Sequence, residues 1–473
     1  MHTKLQLDYP AILANTARPV HLALTFDAPD LTGARSQPIA FVAVLDRSGS
    51  MQGPPLASAK RAAREVARHL RQGDHFGLVV FDDEAQTIIP LADHRDEIAL
   101  TQAIERIQAG NSTNLAGGWS LGRDLLAEAP AGCPRKLLLL TDGQLNAGII
   151  EPIMITRMVA MALEKTGVRT SCLGLGDGYN EDLLDALAKA TGGALHDANQ
   201  ADSLPDIFRK ELDGLQSIVV QNLRLRARSG GFVERITVLG DYAELALPNG
   251  AKEISVGDLV SGERRVVVLA LDVLPIPFGA DGLPTANWDG EHLLDLEIRH
   301  DLITAEGLVS RTETHHIKVR PVQSPADVQV NAEVLPWVSL QTAAAAVDRA
   351  LKARDAGDLE GARGIINKEL ARLAPLPASD LLTDALRLLT ATLAALEDGA
   401  DYVRGKKSIR SMKRFYSMGS TANDSILSEE ALPSFKRPRR PAPGGASPAS
   451  IPAPPSAPSG EADANADAIP PMA

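Results

Sequence analysis

The stretch Phe41-Val-Ala-Val-Leu-Asp46-Arg47-Ser48-Gly49-Ser50-Met51 joins five consecutive apolar residues to a short loop carrying one carboxylate and two hydroxyls. An unbroken apolar run ending in turn residues reads as a parallel strand covered on both faces. Asp46, Ser48 and Ser50 follow at i, i+2 and i+4, in the loop before a helix-period segment at about 56–70. In an open α/β sheet, ligands bind beyond the carboxyl ends of the strands. Hard oxygen donors grouped at such a point suit Mg2+ or Mn2+, which take about six oxygens and readily keep water.

Outward from this loop the same alternation continues. Apolar runs at 76–81, 136–141, 169–175 and 194–197 read as strands, and amphipathic segments at 98–107, 115–126, 152–165, 182–190 and 204–215 read as helices. Strands alternating with helices predict a doubly wound, mostly parallel α/β sheet over 38–215. Two further segments end at the same rim in that topology. Gly110-Asn-Ser-Thr113-Asn114-Leu115 enters a helix and offers the Thr113 hydroxyl, while the strand 137–140 runs into Thr141-Asp142-Gly143 and delivers a second carboxylate. Asp46, Ser48, Ser50, Thr113 and Asp142 thus form one constellation of metal-ligating candidates. Ser, Asp and Gly between a strand and a helix are also ordinary turn and cap residues, so the combination of all five positions carries the inference.

Asp46-x-Ser48-x-Ser50, the later Thr113 and the Thr141-Asp142-Gly143 strand end resemble the metal-ion-dependent adhesion site of von Willebrand factor A domains, over about 38–215. The resemblance implies a Rossmann-like doubly wound fold with Mg2+ at the top of the sheet. Ser48 and Ser50 are then direct ligands, Thr113 a ligand in the engaged state, and Asp46 and Asp142 act partly through water. One coordination position stays open for an Asp or Glu carboxylate from a partner protein, which is recognition and not catalysis. The layout is similar to that of bacterial intracellular multi-domain relatives.

Around this domain the pattern changes. Val20, Leu22, Leu24 and Phe26 alternate with His21, Ala23, Thr25 and Asp27, a strand with one buried face and no place in a parallel sheet. From Ile218 short strand-like runs separated by Gly, Pro, Asn and Asp predict an antiparallel β-sandwich over 216–335. The segment 1–37 is expected to belong to that sandwich, which makes the α/β domain an insertion. Amphipathic periodicity over 336–432 predicts a small helical bundle, and 433–473, with 11 of the chain's 31 prolines, reads as a disordered Pro/Ala-rich tail.

Composition excludes several classes of function. Lys plus Arg number 48 against 60 Asp plus Glu, a net charge of −12, which has the wrong sign for a nucleic-acid or anionic-membrane protein. No apolar run reaches the roughly 18 residues of a membrane helix. The two cysteines, Cys133 and Cys172, are too few for a disulfide framework, and with no apolar signal segment at the N-terminus a cytoplasmic protein is expected. Neither Gly-x-x-x-x-Gly-Lys-Ser/Thr nor His-Glu-x-x-His occurs, and no Gly-x-Ser-x-Gly nucleophile elbow is expected, so nucleotide hydrolysis and serine or zinc protease chemistry have no support.

Lesser features get plainer accounts. His315 and His316 are strand neighbours pointing to opposite faces, a poor pair for one metal. Arg224, Arg226 and Arg228 share a face and read as solvated, and the basic cluster Arg404, Lys406, Lys407, Arg410, Lys413, Arg414, interleaved with Ser408, Ser411 and Ser417, reads as a polar linker. The expected function is a non-enzymatic, metal-dependent protein-binding module. The alternatives are a Mg2+-dependent phosphohydrolase using Asp46 as nucleophile, in which Ser48 stands where a second acid is usual, and a metal-independent scaffold.

Overall fold

The computed structural model describes residues 1–30, 38–93, 96–142, 145–176, 178–198, 201–277, 290–304, 307–397 and 402–417. The chain opens with β1 (His2–Leu7), β2 (Ala11–Leu13) and β3 (Arg18–Asp27). An alternating region follows: β4 (Ala40–Asp46), α1 (Pro54–His69), β5 (His75–Phe81), β6 (Ala85–Ala92), α2 (Glu97–Glu105), α3 (Leu115–Ala127), β7 (Arg135–Thr141), α4 (Pro152–Thr166), β8 (Arg169–Leu175), α5 (Glu181–Thr191), β9 (Leu195–Ala198) and α6 (Leu204–Gln216). Seven strands come next: β10 (Ile218–Ser229), β11 (Val233–Leu239), β12 (Ala243–Ala246), β13 (Lys252–Val260), β14 (Arg264–Val273), β15 (Glu291–Thr304) and β16 (Gly307–Val322). Four helices complete the described chain: α7 (Leu335–Asp355), α8 (Leu359–Leu373), α9 (Asp380–Glu397) and α10 (Tyr402–Ser417).

The sheet of the alternating region has the order β6-β5-β4-β7-β8-β9, parallel except for the edge strand β6. All seven residues of β4 are buried, because helices cover both faces. On one face Phe41, Ala43 and Leu45 pack with α1 and α6 residues such as Val66 and Phe208. On the other, Val42 and Val44 pack with Trp119, Val159 and Leu187 of α3, α4 and α5. A continuous apolar strand therefore needs the two-sided cover that the α/β alternation supplies. The strand at Ala85–Ala92 was not among the expected elements, and it contains Pro90. Proline is tolerated there since β6 is an edge strand, where a missing N–H faces outward.

The flanking strands form two antiparallel-rich sheets, β1-β3-β14-β11 and β12-β13-β10-β15-β16-β2, with one apolar core between them. Strand β3 pairs with β14 along its whole length, from Arg18 opposite Val273 to Asp27 opposite Arg264, and its other edge carries β1. Val20, Leu22, Leu24 and Phe26 point into the sandwich core, as their alternation implies. Ala23 is buried as well, because Val338 of α7 and Val334 just before that helix pack against the outer face of this sheet.

Residues 402–417 are not a polar linker. They form α10, and Lys406, Arg410 and Lys413 of that helix make ion pairs with the rest of the molecule. Lys406 bonds Asp355 at 2.8 Å, Arg410 pairs with Glu181 and Asp182 of α5, and Lys413 pairs with Asp348 of α7 at 2.9 Å and with Asp241 at 2.7 Å. The Lys407 ammonium lies 4.2 Å from the centre of the Tyr179 ring. Helix α10 thus ties the helical segment to both other parts of the chain. The tail 433–473 and the stretch 418–432 lie outside the described residues. No described helix is long and apolar enough to cross a membrane.

Two outcomes follow from this packing. A chain beginning at Pro38 loses β3 and uncovers β14, so its thermal denaturation should show the strands after Ile218 melting well below their full-length midpoint; an unchanged melting profile would contradict the pairing. Burial raises the Asp241 carboxyl, but the ammonium groups of Lys413 and Lys189 outweigh it and hold the group below the ordinary carboxylate range. That stabilisation is complete above the unfolded value of about 3.9 and is lost as pH falls below it. Lys413→Met should cost about 3 kcal/mol at pH 7, and denaturation midpoints between pH 5 and pH 2 should fall less steeply in the variant than in the parent.

Candidate metal centre

Strand β4 carries Asp46 to its carboxyl end with no exposed surface, and both carboxylate oxygens are occupied there. Oδ1 accepts the Ser48 backbone N–H at 2.8 Å, which folds the loop back over the strand end. Oδ2 accepts the Thr141 hydroxyl at 2.5 Å from the end of the neighbouring strand β7. Ser48 is buried, and its Oγ lies 3.1 Å from Ser50 Oγ. Ser50 is exposed and donates its hydroxyl to Asp142 Oδ1 at 2.8 Å. Asp46, Ser48, Ser50 and Asp142 therefore make one continuous polar chain across the ends of β4 and β7.

Thr113 reaches this rim by a separate route. It is buried in the loop before α3, with its N–H donated to Asn146 Oδ1 at 2.6 Å. Asn114 caps α3, its side-chain oxygen accepting the Gly117 N–H at 3.0 Å. The loop is fastened to the Asp46–Ser50 loop by two backbone bonds, Gly110 N–H to the Arg47 carbonyl at 2.6 Å and Gly49 N–H to the Asn111 carbonyl at 3.1 Å. Four of the five expected residues are thus linked through hydrogen bonds, and the fifth lies on a loop bonded directly to theirs.

Asp82 and Asn146 also shape the site, and the sequence analysis did not single them out. The Asp82 carboxylate pairs with Arg47 at 3.1 Å, while its carbonyl accepts the Asn114 N–H at 2.8 Å, so one residue holds both loops. Asp82 follows directly on the apolar strand 76–81, so the strand-end rule that singled out Asp46 and Asp142 also points to it. Asn146 has no such signal. A second feature is apolar: among the described residues, Ile149, Ile150, Ile153, Met154 and Met161 are exposed large hydrophobics. They follow the Asn146 turn, where Gly148 lies so close to Asn114 that any Cβ would overlap the amide.

Contrary to the expectation that no Gly-x-Ser-x-Gly string occurs, Gly118-Trp119-Ser120-Leu121-Gly122 has the spacing of a hydrolase nucleophile elbow. It lies inside α3 and not on a strand-to-helix turn. Its glycines admit close packing against Phe81 and Val44, and Ser120 donates to Met158 Sδ at 3.8 Å. This is helix packing.

The charge at the rim bears on which ion fits. Burial pushes the Asp46 carboxyl above its ordinary range despite hydrogen bonds from Ser48 and Thr141, and the nearby Asp142 charge adds to the rise. Burial raises Asp142 too, against the bond from Ser50. No Lys or Arg ion pair with either carboxylate is recorded among the described residues; Arg47, beside them, is engaged by Asp82. Two partly desolvated carboxylates with hydroxyl oxygens between them and no basic partner are a donor set that fits a hard divalent cation.

Residues 41–210 match the family model of the von Willebrand factor type A domain, and this part of the chain is such a domain, with the Rossmann-like mixed sheet described above. The uncharacterized protein sll0103 of Synechocystis sp. is 29% identical over 358 residues, which are 73% of this chain and 80% of that one. Inter alpha-trypsin inhibitor heavy chain 4 of Mus musculus is 28% identical over 206 residues, 41% of this chain but only 21% of that protein. Among solved structures, the von Willebrand factor type A protein from Catenulispora acidiphila superposes with a TM-score of 0.66 at 18% identity, over 88% of this chain and 96% of that one, so it shares the fold across most of the molecule.

The packing of Gly110 generates a specific expectation. A Cβ at this position would overlap the Asp82 carboxylate. Gly110→Ala should therefore part the two loops and weaken Mg2+ binding about tenfold or more in calorimetry, an effect of the size that supporting residues around metal sites produce. Unchanged affinity would show that the loop contact does not shape the site.

Proposed function

We propose that the chain is a non-enzymatic, metal-dependent protein-binding module, in which Asp46, Ser48, Ser50, Thr113 and Asp142 hold Mg2+ or Mn2+ and an Asp or Glu side chain of a partner protein completes the coordination. The observation that carries this reading is the chain of hydroxyl and carboxylate oxygens at the ends of β4 and β7, with no Lys or Arg ion pair to either carboxylate among the described residues. Bound there, the ion supplies a positive centre that attracts an incoming carboxylate. The residues of the chain do the rest. Ser48, Ser50 and Thr113 bring neutral oxygens, which leave the ion net positive character, and the surrounding burial strengthens the attraction. Asp46, held from both sides, fixes the loop and not the partner.

The exposed apolar run from Ile149 to Met161 supports the same reading. Large apolar side chains left exposed close together in the chain are candidates for protein contact, and these begin a few residues after the turn that holds Thr113. A partner would then place a carboxylate on the ion and apolar side chains on the flank. The sparse and buried cysteines, Cys133 and Cys172, accord with a cytoplasmic setting. The alternative of Asp46 as a phosphohydrolase nucleophile is disfavoured by its environment, since the carboxylate has no exposed surface for a substrate to approach and a hydrogen bond already draws on each of its oxygens.

The experiment is titration of the full chain with Mg2+ or Mn2+ in a calorimeter, followed by peptide display in the presence of the metal. One ion should bind per chain at this site, and Asp46→Ala with Ser48→Ala should abolish it. Selected peptides should carry Asp or Glu, and their binding should disappear with EDTA and with Thr113→Ala. Peptides held equally with and without metal would favour a metal-independent scaffold, and Mg2+-dependent phosphate release lost in Asp46→Asn would favour the hydrolase.

A further inference from the structure

Far from β4 in sequence, the outer face of the larger sandwich sheet gathers two imidazoles on one carboxylate. Asp295 lies on β15, directly opposite His316 on β16 and Arg228 on β10. His316 Nδ1 is 2.7 Å from Asp295 Oδ1, and His292 Nε2 is 2.8 Å from the same oxygen. Residues 292 and 295 are three apart, an odd spacing that puts side chains on opposite faces of a regular strand. Here the pairing of β15 with β16 slips between His292 and Leu294, and this irregularity brings the His292 ring onto the face of Asp295. Such bulges re-aim side chains and recur beside functional sites.

The surroundings hold this arrangement in place. Gly230 donates its N–H to the Leu293 carbonyl at 2.7 Å, and a Cβ at this glycine would come within 2.9 Å of His292 Nδ1. The bare glycine therefore leaves room for the ring whose Nε2 faces Asp295. Arg228 bonds the other oxygen, Oδ2, at 2.7 Å, and orients the carboxylate in the way that outer partners orient metal ligands. The three ligand atoms lie within 4.8 Å of one another, and the His316 side chain is 64% exposed, so an ion can enter from solvent and keep water on its open positions.

We propose that His292, Asp295 and His316 form a second metal site, for a borderline divalent transition ion of the zinc type. Two imidazole nitrogens and one carboxylate oxygen suit Zn2+, Cu2+ or Ni2+ and not Mg2+, which prefers an all-oxygen shell. With three protein ligands the coordination shell is incomplete, as in zinc sites that retain an exchangeable position. His315, the sequence neighbour of His316, faces the opposite side and takes no part. The site is independent of the strand-end constellation in residues, in ligand chemistry and in the sheet that builds it.

Zinc alone is the probe, titrated into the full-length chain carrying Asp46→Ala and Ser48→Ala so that the strand-end loop cannot take the ion. One zinc should bind per chain, and a large excess of Mg2+ should not displace it. His292→Gln and His316→Gln, introduced separately at these partly exposed positions, should each weaken binding at least about tenfold with unchanged circular dichroism and melting temperature. Cobalt in place of zinc should give visible absorption bands that both variants lose. Equal zinc uptake in the parent and in the double histidine variant, or no uptake by the parent at about 0.1 mM zinc, would overturn the assignment.

Discussion

A carboxylate buried without a basic partner is costly to keep ionised, and the organisation of the α/β region follows from where Asp46 has been placed. The central strand β4 must be covered on both faces to bury its apolar side chains, and the same cover removes Asp46 from water. Its charge is then met by a backbone N–H and by Thr141 from the adjacent strand, which fixes the start of the Ser48–Ser50 loop. Asp142, the residue after Thr141, arrives at the same rim because β7 lies beside β4 in parallel register. The site is thus a consequence of two adjacent strands ending together, and the loop hydroxyls fill the space between their carboxylates.

The remainder of the chain holds this domain in a frame built from sequence on both sides of it. Strand β3 precedes the α/β region and β14 follows it, yet the two pair residue for residue. The ends of the inserted region are therefore drawn to one side of the molecule. Arg169, at the start of β8, makes a two-pronged bond to Asp258 of β13 at 2.6 and 2.9 Å, and Lys189 of α5 pairs with Asp241, which Lys413 of α10 also binds. Mostly shielded charge pairs of this kind give the junction between α/β region, sandwich and helices a defined geometry, because leaving any one charge unpaired there is expensive.

Much of this was legible in the residues themselves. The two-sided apolar run at 41–45, the alternation at 20–26 and the helical periods after 336 each point to the element that forms, because each pattern is the record of which faces are buried. The oxygen constellation was legible for the same reason: a strand end is a fixed place, and Asp46, Thr141 and Asp142 sit at strand ends. What could not be read depends on contacts distant in sequence. The helix at 402–417 falls within the expected bundle, but that its basic side chains dock on Asp182, Asp241, Asp348 and Asp355 instead of facing solvent could not be read, because none of these is near it in the chain. His292 faces His316 only because of an irregularity in strand pairing, which local alternation does not reveal. Asn146 acts through its reach to Thr113, and nothing in its sequence neighbourhood announces that.

The central claim, that the oxygens of Asp46, Ser48, Ser50, Thr113 and Asp142 hold a hard divalent ion, is tested most directly by anomalous diffraction from crystals of the chain grown with Mn2+. The expected result is a manganese peak about 2.1 Å from the hydroxyl oxygens of Ser48 and Ser50, the distance at which small hard ions take oxygen ligands, with the Asp46 and Asp142 carboxylates facing it. A map with no peak at that rim at saturating manganese, or with the ion bound only elsewhere on the molecule, would contradict it.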